Sequence, residues 1–138
     1  MKVLWIDDET AISGPIGPDG IEGAAQAGFR TIINNRPDGE EDHQPQSGSI
    51  EFAAKQRGLD YRFVPIAIRN LSQSDVDGMR SALEETPAPR VAFCRSGSRS
   101  YILWALVNAQ SNDELERLIA QAADRGFDIS AARLLAPE

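Results

Sequence analysis

The apolar run from Tyr101 to Val107 is the feature that most constrains how this chain can fold. A helix that is apolar on every side has to be buried, so this segment predicts a central helix. Just before it, Val91–Phe93 is short and apolar, which predicts a buried strand. A polar segment, Cys94-Arg95-Ser96-Gly97-Ser98-Arg99-Ser100, separates the two. The sequence therefore places a polar loop between a buried strand and the N-terminus of a buried helix.

Further apolar stretches, each bounded by glycine, proline or polar residues, predict the other strands. They are Val3–Ile6, Thr31–Asn34, Tyr61–Val64 and a shorter candidate, Ala11–Ser13. Helical patterns lie between them. Strands that alternate with helices predict an α/β fold, with a mostly parallel sheet covered on both faces. Ligands of such sheets bind beyond the carboxyl ends of the strands.

Two pairs of residues mark helix starts. Ser72 with Asp75, and Ser111 with Glu114, have the spacing of a capping box. Gly126 predicts the end of the second of these helices. Asp75 and Asp77 fall in the first turn of the first helix, where acids usually stabilise the helix dipole, so we expect neither to be catalytic.

Composition narrows the functional classes. The length of 138 residues suits one domain spanning 1–138. A net charge of −7 argues against a nucleic-acid partner. The single cysteine excludes an intrachain disulfide and suits a reducing compartment. With neither a signal-peptide pattern nor an apolar run long enough to span a bilayer, we expect a cytoplasmic protein without a membrane partner.

The polar loop has the properties of an anion site. Unpaired N–H groups and the positive end of the dipole meet at the start of a helix. Gly97 permits the backbone conformations that let successive N–H groups converge on one point. The same field would stabilise the thiolate of Cys94. Arg99 can grip an anion with two parallel N–H donors, and Arg95 adds a second positive charge.

The serines Ser96, Ser98 and Ser100 supply hydroxyls to the loop, and Ser100 could donate to the sulfur. A buried, inert cysteine would explain Cys94 alone but not the residues that follow it. We therefore expect Cys94 and Arg99 to be catalytic, with Arg95, Ser96, Gly97, Ser98 and Ser100 binding substrate. One cysteine and one histidine do not make a zinc site of the usual type, so we expect no metal and no cofactor.

Residues 36–48 form the one long polar connection and contain four acids. This composition is typical of a mobile surface loop, but its position after a central strand is also where active-site lids are built. Arg36, at the end of that strand, could contact substrate or form a surface salt bridge. Both alternatives remain open for the loop and for Arg36.

The loop around Cys94 resembles those of two families of cysteine enzymes. Protein-tyrosine and dual-specificity phosphatases carry a cysteine, five residues, an arginine and then serine or threonine. Rhodanese sulfurtransferases carry Cys-Arg-x-Gly-x followed by arginine or threonine. Four residues separate Cys94 from Arg99, so the spacing resembles the rhodanese loop, whereas Ser100 resembles the phosphatase signature.

Elsewhere the chain resembles the phosphatases. Residues 28–36 and 58–65 look like two strands of small dual-specificity phosphatases. Together with the motifs INNRPDGEE and CRSGSRS, they resemble one bacterial family over residues from about 10 to 135. This is the phosphatase-like domain of the beta-lactamase-hydrolase-like proteins, also described as a sulfur-transferase family. The resemblance implies a three-layer α/β/α cysteine-phosphatase fold (phosphatase II) with a parallel four-stranded sheet, and Cys94 as nucleophile.

Two departures from the phosphatases affect the functional prediction. Phe93 replaces the histidine that they place before the nucleophile, and residues 64–70 contain no carboxylate where their general acid lies. Since sulfane-sulfur transfer needs less leaving-group protonation than phosphoester cleavage, we expect a rhodanese-like sulfurtransferase that forms a Cys94 persulfide. The alternatives are a phosphatase with a phosphocysteine intermediate, and an anion-binding or redox-sensing module. The expected partners are a small anionic sulfur or phosphate substrate, and a thiol acceptor or persulfide-oxidising enzyme.

Overall fold

The computed structural model describes residues 1–136, which form one five-stranded sheet with helices on both faces. The strands are β1 (Leu4–Trp5), β2 (Thr10–Ser13), β3 (Thr31–Asn34), β4 (Asp60–Phe63) and β5 (Arg90–Phe93). The helices are α1 (Ile21–Gln26), α2 (Ser47–Gln56), α3 (Gln73–Glu85), α4 (Ser98–Asn108) and α5 (Asn112–Asp124). Short 3-10 segments cover Pro18–Gly20, Ile68–Asn70 and Ser130–Leu135.

Four of the strands are parallel, as the sequence predicts. The order across the sheet is β1-β2-β5-β3-β4, so β5 lies in the middle with β2 and β3 on its two sides. The four-strand prediction is incomplete because β1 adds an antiparallel strand at the edge. A tight turn makes this possible: Asp7 Oδ1 accepts hydrogen bonds from the backbone N–H groups of Glu9 and Thr10, at 2.8 and 2.7 Å.

Alternation along the strands divides the core into two layers. Ile12, Ile33 and Ala92 face a cluster built by α3, α4 and α5. Their chain neighbours Ala11, Ile32 and Val91 face the smaller cluster of α1 and α2. The α/β/α fold is therefore confirmed.

Helix α4 is as deeply buried as its sequence predicts. Every residue from Ser100 to Leu106 is buried, and the helix follows directly from the central strand through residues 94–97. All four parallel strands end at the same edge of the sheet, so this connection lies beside the residues that follow β2 and β3. The fold thus brings residues 36–48 next to residues 94–99, which are far away in sequence.

Within residues 1–136, the structure contains no helix with the length and apolar character that a membrane crossing requires.

Candidate active site

The Cys94 loop (residues 94–99) leaves β5 and turns tightly into α4. Gly97 is the residue before the helix and has a φ of 97°, in the left-handed region that favours glycine. A Cβ at this position would also lie 3.3 Å from a ring carbon of Phe127. The turn directs the Gly97 N–H to Cys94 Sγ, at 3.0 Å.

The N-terminus of α4 is built without a side-chain cap among the described residues, and its first turn carries no acid. Ser96 and Ser98 lie at the rim, where their hydroxyl oxygens are 3.0 Å apart. The positive end of the helix dipole therefore faces the Cys94 loop, and no acidic side chain in the first turn of α4 balances it.

Ser100 lies behind the loop rather than in it. Ser100 is fully buried, and its Oγ has no hydrogen-bond partner within residues 1–136. The expected hydrogen bond from Ser100 to Cys94 is absent from this conformation, in which the N–H of Gly97 is the donor to the sulfur. Direct contact between Ser100 and substrate would require the loop to rearrange.

Arg99 already holds a carboxylate. Its Nη1 and Nη2 donate to the two oxygens of Glu40, at 2.6 and 2.8 Å, in the two-bond geometry that arginine also uses for phosphate. Nη1 also donates to the carbonyl oxygen of Ile66 at 3.1 Å. The hydrogen bond from Arg99 is the largest cause that lowers the pKa of Glu40, and the same bond raises the pKa of Arg99. The nearby Cys94 sulfur raises the pKa of Arg99 further.

A second carboxylate, that of Glu41, contacts two different arginines through one oxygen. Its Oε1 accepts from Nη2 of Arg36 at 2.9 Å and pairs with Nε of Arg95 at 3.0 Å. Arg36 also donates from Nε to Glu40, at 3.0 Å. These five side chains form one network, which we call the arginine–glutamate cluster (Arg36, Glu40, Glu41, Arg95 and Arg99).

Both acids belong to residues 36–48, which we call the acidic loop; this segment follows β3 and extends into the first turn of α2. The loop is fixed at its base by Asp38, whose Oδ1 accepts from the N–H of Ser47 at 2.8 Å. Ser47 hydrogen-bonds in turn to the buried hydroxyl of Tyr61, which accepts from Asn34. Burial raises the pKa of Tyr61, so this hydroxyl stays protonated at neutral pH. Hydrogen bonds thus hold the base of the acidic loop, and its two glutamates contact Arg99 and Arg95 of the Cys94 loop.

The site is closed in this conformation. The Cys94 residue has no exposed surface. A small cavity of about 20 Å³ lies between the acidic loop and the strand ends, lined by Arg36, Gln44 and Phe93 among others, and neither Cys94 nor Arg99 lines it.

Arg36 forms salt bridges with Glu40 and Glu41, but its side chain is only 8% exposed, so these are not ordinary surface pairs. Contact between Arg36 and substrate stays a prediction. Glu40 and Glu41 were not predicted as members of the site. Both belong to the motif INNRPDGEE, which begins in β3 beside β5, so their position near the Cys94 loop could have been inferred. Their acidic character instead suggested a solvated segment.

Residues 64–70, where phosphatases of this fold place their general acid, contain no carboxylate. Residues 64–70 instead provide a backbone carbonyl to Arg99. Asp75 acts at the start of α3, where its Oδ2 accepts from the N–H of Ser72 at 2.9 Å, which confirms the predicted capping role. Asp77 is exposed and pairs with Arg80 on the same helix.

Comparisons with known proteins identify the family of this chain. Residues 3–111 match the family model described as the beta-lactamase hydrolase-like protein, phosphatase-like domain. A beta-lactamase hydrolase-like protein of Xylella fastidiosa strain Temecula1 is 35% identical over 96% of the chain. The chain spans only 31% of that protein's length.

Solved structures give the same fold. A protein from Neisseria meningitidis, provisionally assigned as a phosphatase, has a TM-score of 0.79 at 32% identity, covering 98% of this chain and 96% of that one. Kinase associated phosphatase, whose catalytic cysteine was replaced by serine, has a TM-score of 0.71 at 14% identity, covering 90% and 80%. The second likeness concerns the fold alone. With the family model covering most of the residues, the chain belongs to the family of phosphatase-like domains of beta-lactamase hydrolase-like proteins.

Proposed function

We propose that this domain is a cysteine-dependent phosphomonoesterase that works through a phosphocysteine at Cys94. The observation that carries the proposal is the carboxylate held by two parallel hydrogen bonds on Arg99, beside the cysteine and the start of α4. A phosphate group would bind such a guanidinium with the same geometry. The phosphatase-like family and the cysteine-phosphatase fold support the phosphatase alternative over the sulfurtransferase prediction.

The reaction has two steps. The Cys94 thiolate attacks phosphorus, so that an S–P bond forms while the ester P–O bond breaks and the leaving oxygen takes a proton from water. Water then attacks phosphorus, the S–P bond breaks, and orthophosphate leaves with the thiolate restored. Arg99 and the N–H groups of the Cys94 loop would stabilise the charge that develops on the phosphoryl oxygens.

The leaving group determines which substrates can react. Because residues 64–70 contain no carboxylate, the first step lacks the general acid that such phosphatases place there. General acids contribute typically about 10²–10⁴-fold to such steps. Esters whose leaving oxygen is already a weak base, such as aryl phosphates, need this help least and are the substrates of choice for a test.

The test is phosphate release from p-nitrophenyl phosphate by the wild-type chain and by Cys94→Ser. We expect release that falls by about 10⁴-fold or more in the variant. Ser130→Ala is the matched control, because Ser130 lies far from Cys94 in the chain and its hydroxyl donates to Asp128, two residues before it. Equal release by wild type and Cys94→Ser, or none by wild type, would contradict the proposal.

A sulfurtransferase remains the second candidate because of one observation, the four residues between Cys94 and Arg99. It is examined on the same preparation with thiosulfate. A Cys94-dependent gain of about 32 Da in the intact mass would mark a persulfide. Rapid persulfide formation together with very slow phosphate release would favour sulfur transfer over phosphate hydrolysis.

A further inference from the structure

The arginine–glutamate cluster holds two anions rather than one. Glu40 lies on Arg99 and Arg36, and Glu41 lies on Arg36 and Arg95, so each carboxylate bridges two guanidinium groups. This concentration of three arginines is local, since the chain as a whole has a net charge of −7. The site is thus built to hold a pair of negative groups.

The two anions must lie side by side. Arg36 donates from Nε to Glu40 and from Nη2 to Glu41, and these nitrogens belong to one planar guanidinium. The first anion occupies Arg99, where the proposed function places the reacting phosphate. The second lies between Arg36 and the exposed Arg95, at the rim of the Cys94 loop.

A substrate has to replace the glutamates to reach the sulfur. Both terminal nitrogens of Arg99 are occupied by Glu40, and a phosphate would need the same two donors. Glu40 and Glu41 are neighbours in the chain, and both bond to Arg36. If both leave, Arg36 becomes a nearly buried cation without these partners, which is costly unless another anion takes their place.

We propose that the substrate is a phosphomonoester with a second anionic group on an adjacent carbon atom. The phosphate takes the place of Glu40 on Arg99, and the second group takes the place of Glu41 on Arg36 and Arg95. The identity of the reacting group rests on the proposed function. The requirement for a neighbouring anion rests on the cluster.

The experiment measures binding without turnover, by calorimetry on Cys94→Ser, with Cys94→Ala as a second variant. The probes are phenyl phosphate, 2-carboxyphenyl phosphate and 4-carboxyphenyl phosphate. We expect the 2-carboxy compound to have a Kd about tenfold lower than that of phenyl phosphate, because its carboxylate gains charge-assisted hydrogen bonds. The 4-carboxy compound, whose carboxylate is too far away, should bind like phenyl phosphate. Equal Kd values for all three overturn the inference.

Arginine variants locate the second subsite. In the Cys94→Ser background, Arg95→Ala should remove most of the preference for the 2-carboxy compound. Arg30→Ala should keep it, since Arg30 is an exposed arginine just before β3, at the opposite edge of the sheet. A preference that survives Arg95→Ala unchanged would contradict the assignment.

Glutamate variants test whether the acids occupy the subsites. Glu41→Gln should tighten binding of the 2-carboxy compound, and Glu40→Gln should tighten binding of all three probes, each by several-fold because a competing anion is removed. Glu84→Gln, an exposed acid on α3, is the control. Weaker binding in Glu40→Gln would instead mean that Glu40 positions Arg99, and would overturn the inference.

The two proposals can fail separately. Absence of Cys94-dependent phosphate release from p-nitrophenyl phosphate, with the tenfold preference intact, would remove the phosphatase activity but keep the recognition of paired anions. Normal phosphate release with no preference among the probes would do the reverse.

Discussion

Helices α4 and α5 begin in opposite ways, although they are consecutive in the chain. At the residue before the helix, α5 has Ser111, whose Oγ accepts from the N–H of Glu114 at 3.1 Å, whereas α4 has Gly97, which has no side chain to cap with. At the second helical position, α5 has the acid Asp113 and α4 has the base Arg99. The start of α5 is thus capped by a residue next to it in sequence, whereas at the start of α4 the N–H of Ser98 has only a long contact, of 3.3 Å, to Ser96 Oγ.

The contrast has an energetic meaning. Acids in a first turn stabilise the helix dipole, and a cation there is unfavourable. Helix α4 offsets its unfavourable Arg99 with burial of the following turns and with Glu40, which comes from a different part of the chain. A helix start that breaks the local rules while the neighbouring helix follows them is a sign of a functional position.

Among the variants that test this comparison, Gly97→Ala should have the largest effect, because it changes the start of α4 directly. A φ of 97° is strained for alanine, and the added Cβ would press on Phe127. We expect the free energy of unfolding to fall by about 1–3 kcal/mol and the phosphatase rate to fall by about 10²–10³-fold as the N–H groups lose their alignment. Chemical denaturation and p-nitrophenyl phosphate turnover measure the two.

Gly126→Ala provides the control for backbone strain. Gly126 also has a positive φ, of 89°, but a Cβ there meets nothing within 4 Å. It should lose a similar amount of stability with little change in rate. Equal losses of rate in the two variants would contradict the special role of the α4 start.

Arg99→Lys should have the next largest effect. Lysine keeps the charge but loses the two parallel donors, so we expect about a 10²-fold lower kcat/KM. Arg117→Lys, an exposed substitution on α5, should leave the rate unchanged. A rate for Arg99→Lys close to that of wild type would mean that charge alone is sufficient.

Ser111→Ala tests the capped start of α5. Removing the cap of α5 should lower the free energy of unfolding by about 1 kcal/mol. The phosphatase rate should not change, because Ser111 contributes to the start of α5 alone. Denaturant titration with a parallel rate measurement checks both outcomes, and a loss of rate without loss of stability would connect the two helix starts.

The smallest expected effect is a pH dependence of the contact between Glu40 and Arg99. Since the folded-state pKa of Glu40 is lowered, its ion pair contributes fully above the usual glutamate range and is lost as the pH falls through the lowered value. The pair should thus persist at neutral and mildly acidic pH. Carbon NMR of the Glu40 carboxyl should give a midpoint that rises in Arg99→Gln. An unchanged midpoint would contradict the contact.

The sequence predicted the parts of this molecule that depend on local pattern. The strand β5, the buried helix α4 and the capped starts of α3 and α5 follow from apolar runs and capping residues. The antiparallel pairing of β1, whose strand character was predicted, and the partners of Arg36 could not be predicted in the same way. They depend on which segments the sheet order places side by side, and a run of acids gives no indication of the arginines it will meet.

The central position of β5 has one more consequence. Its residues hydrogen-bond to β2 on one side and β3 on the other, so the strand that leads into Cys94 is anchored on both sides. Core strands of this kind belong to the most stable part of a fold. We therefore expect relatives to keep the nucleophile in this place. They should differ mainly in the connection after β3, where substitutions can change the substrate preference at little cost to stability.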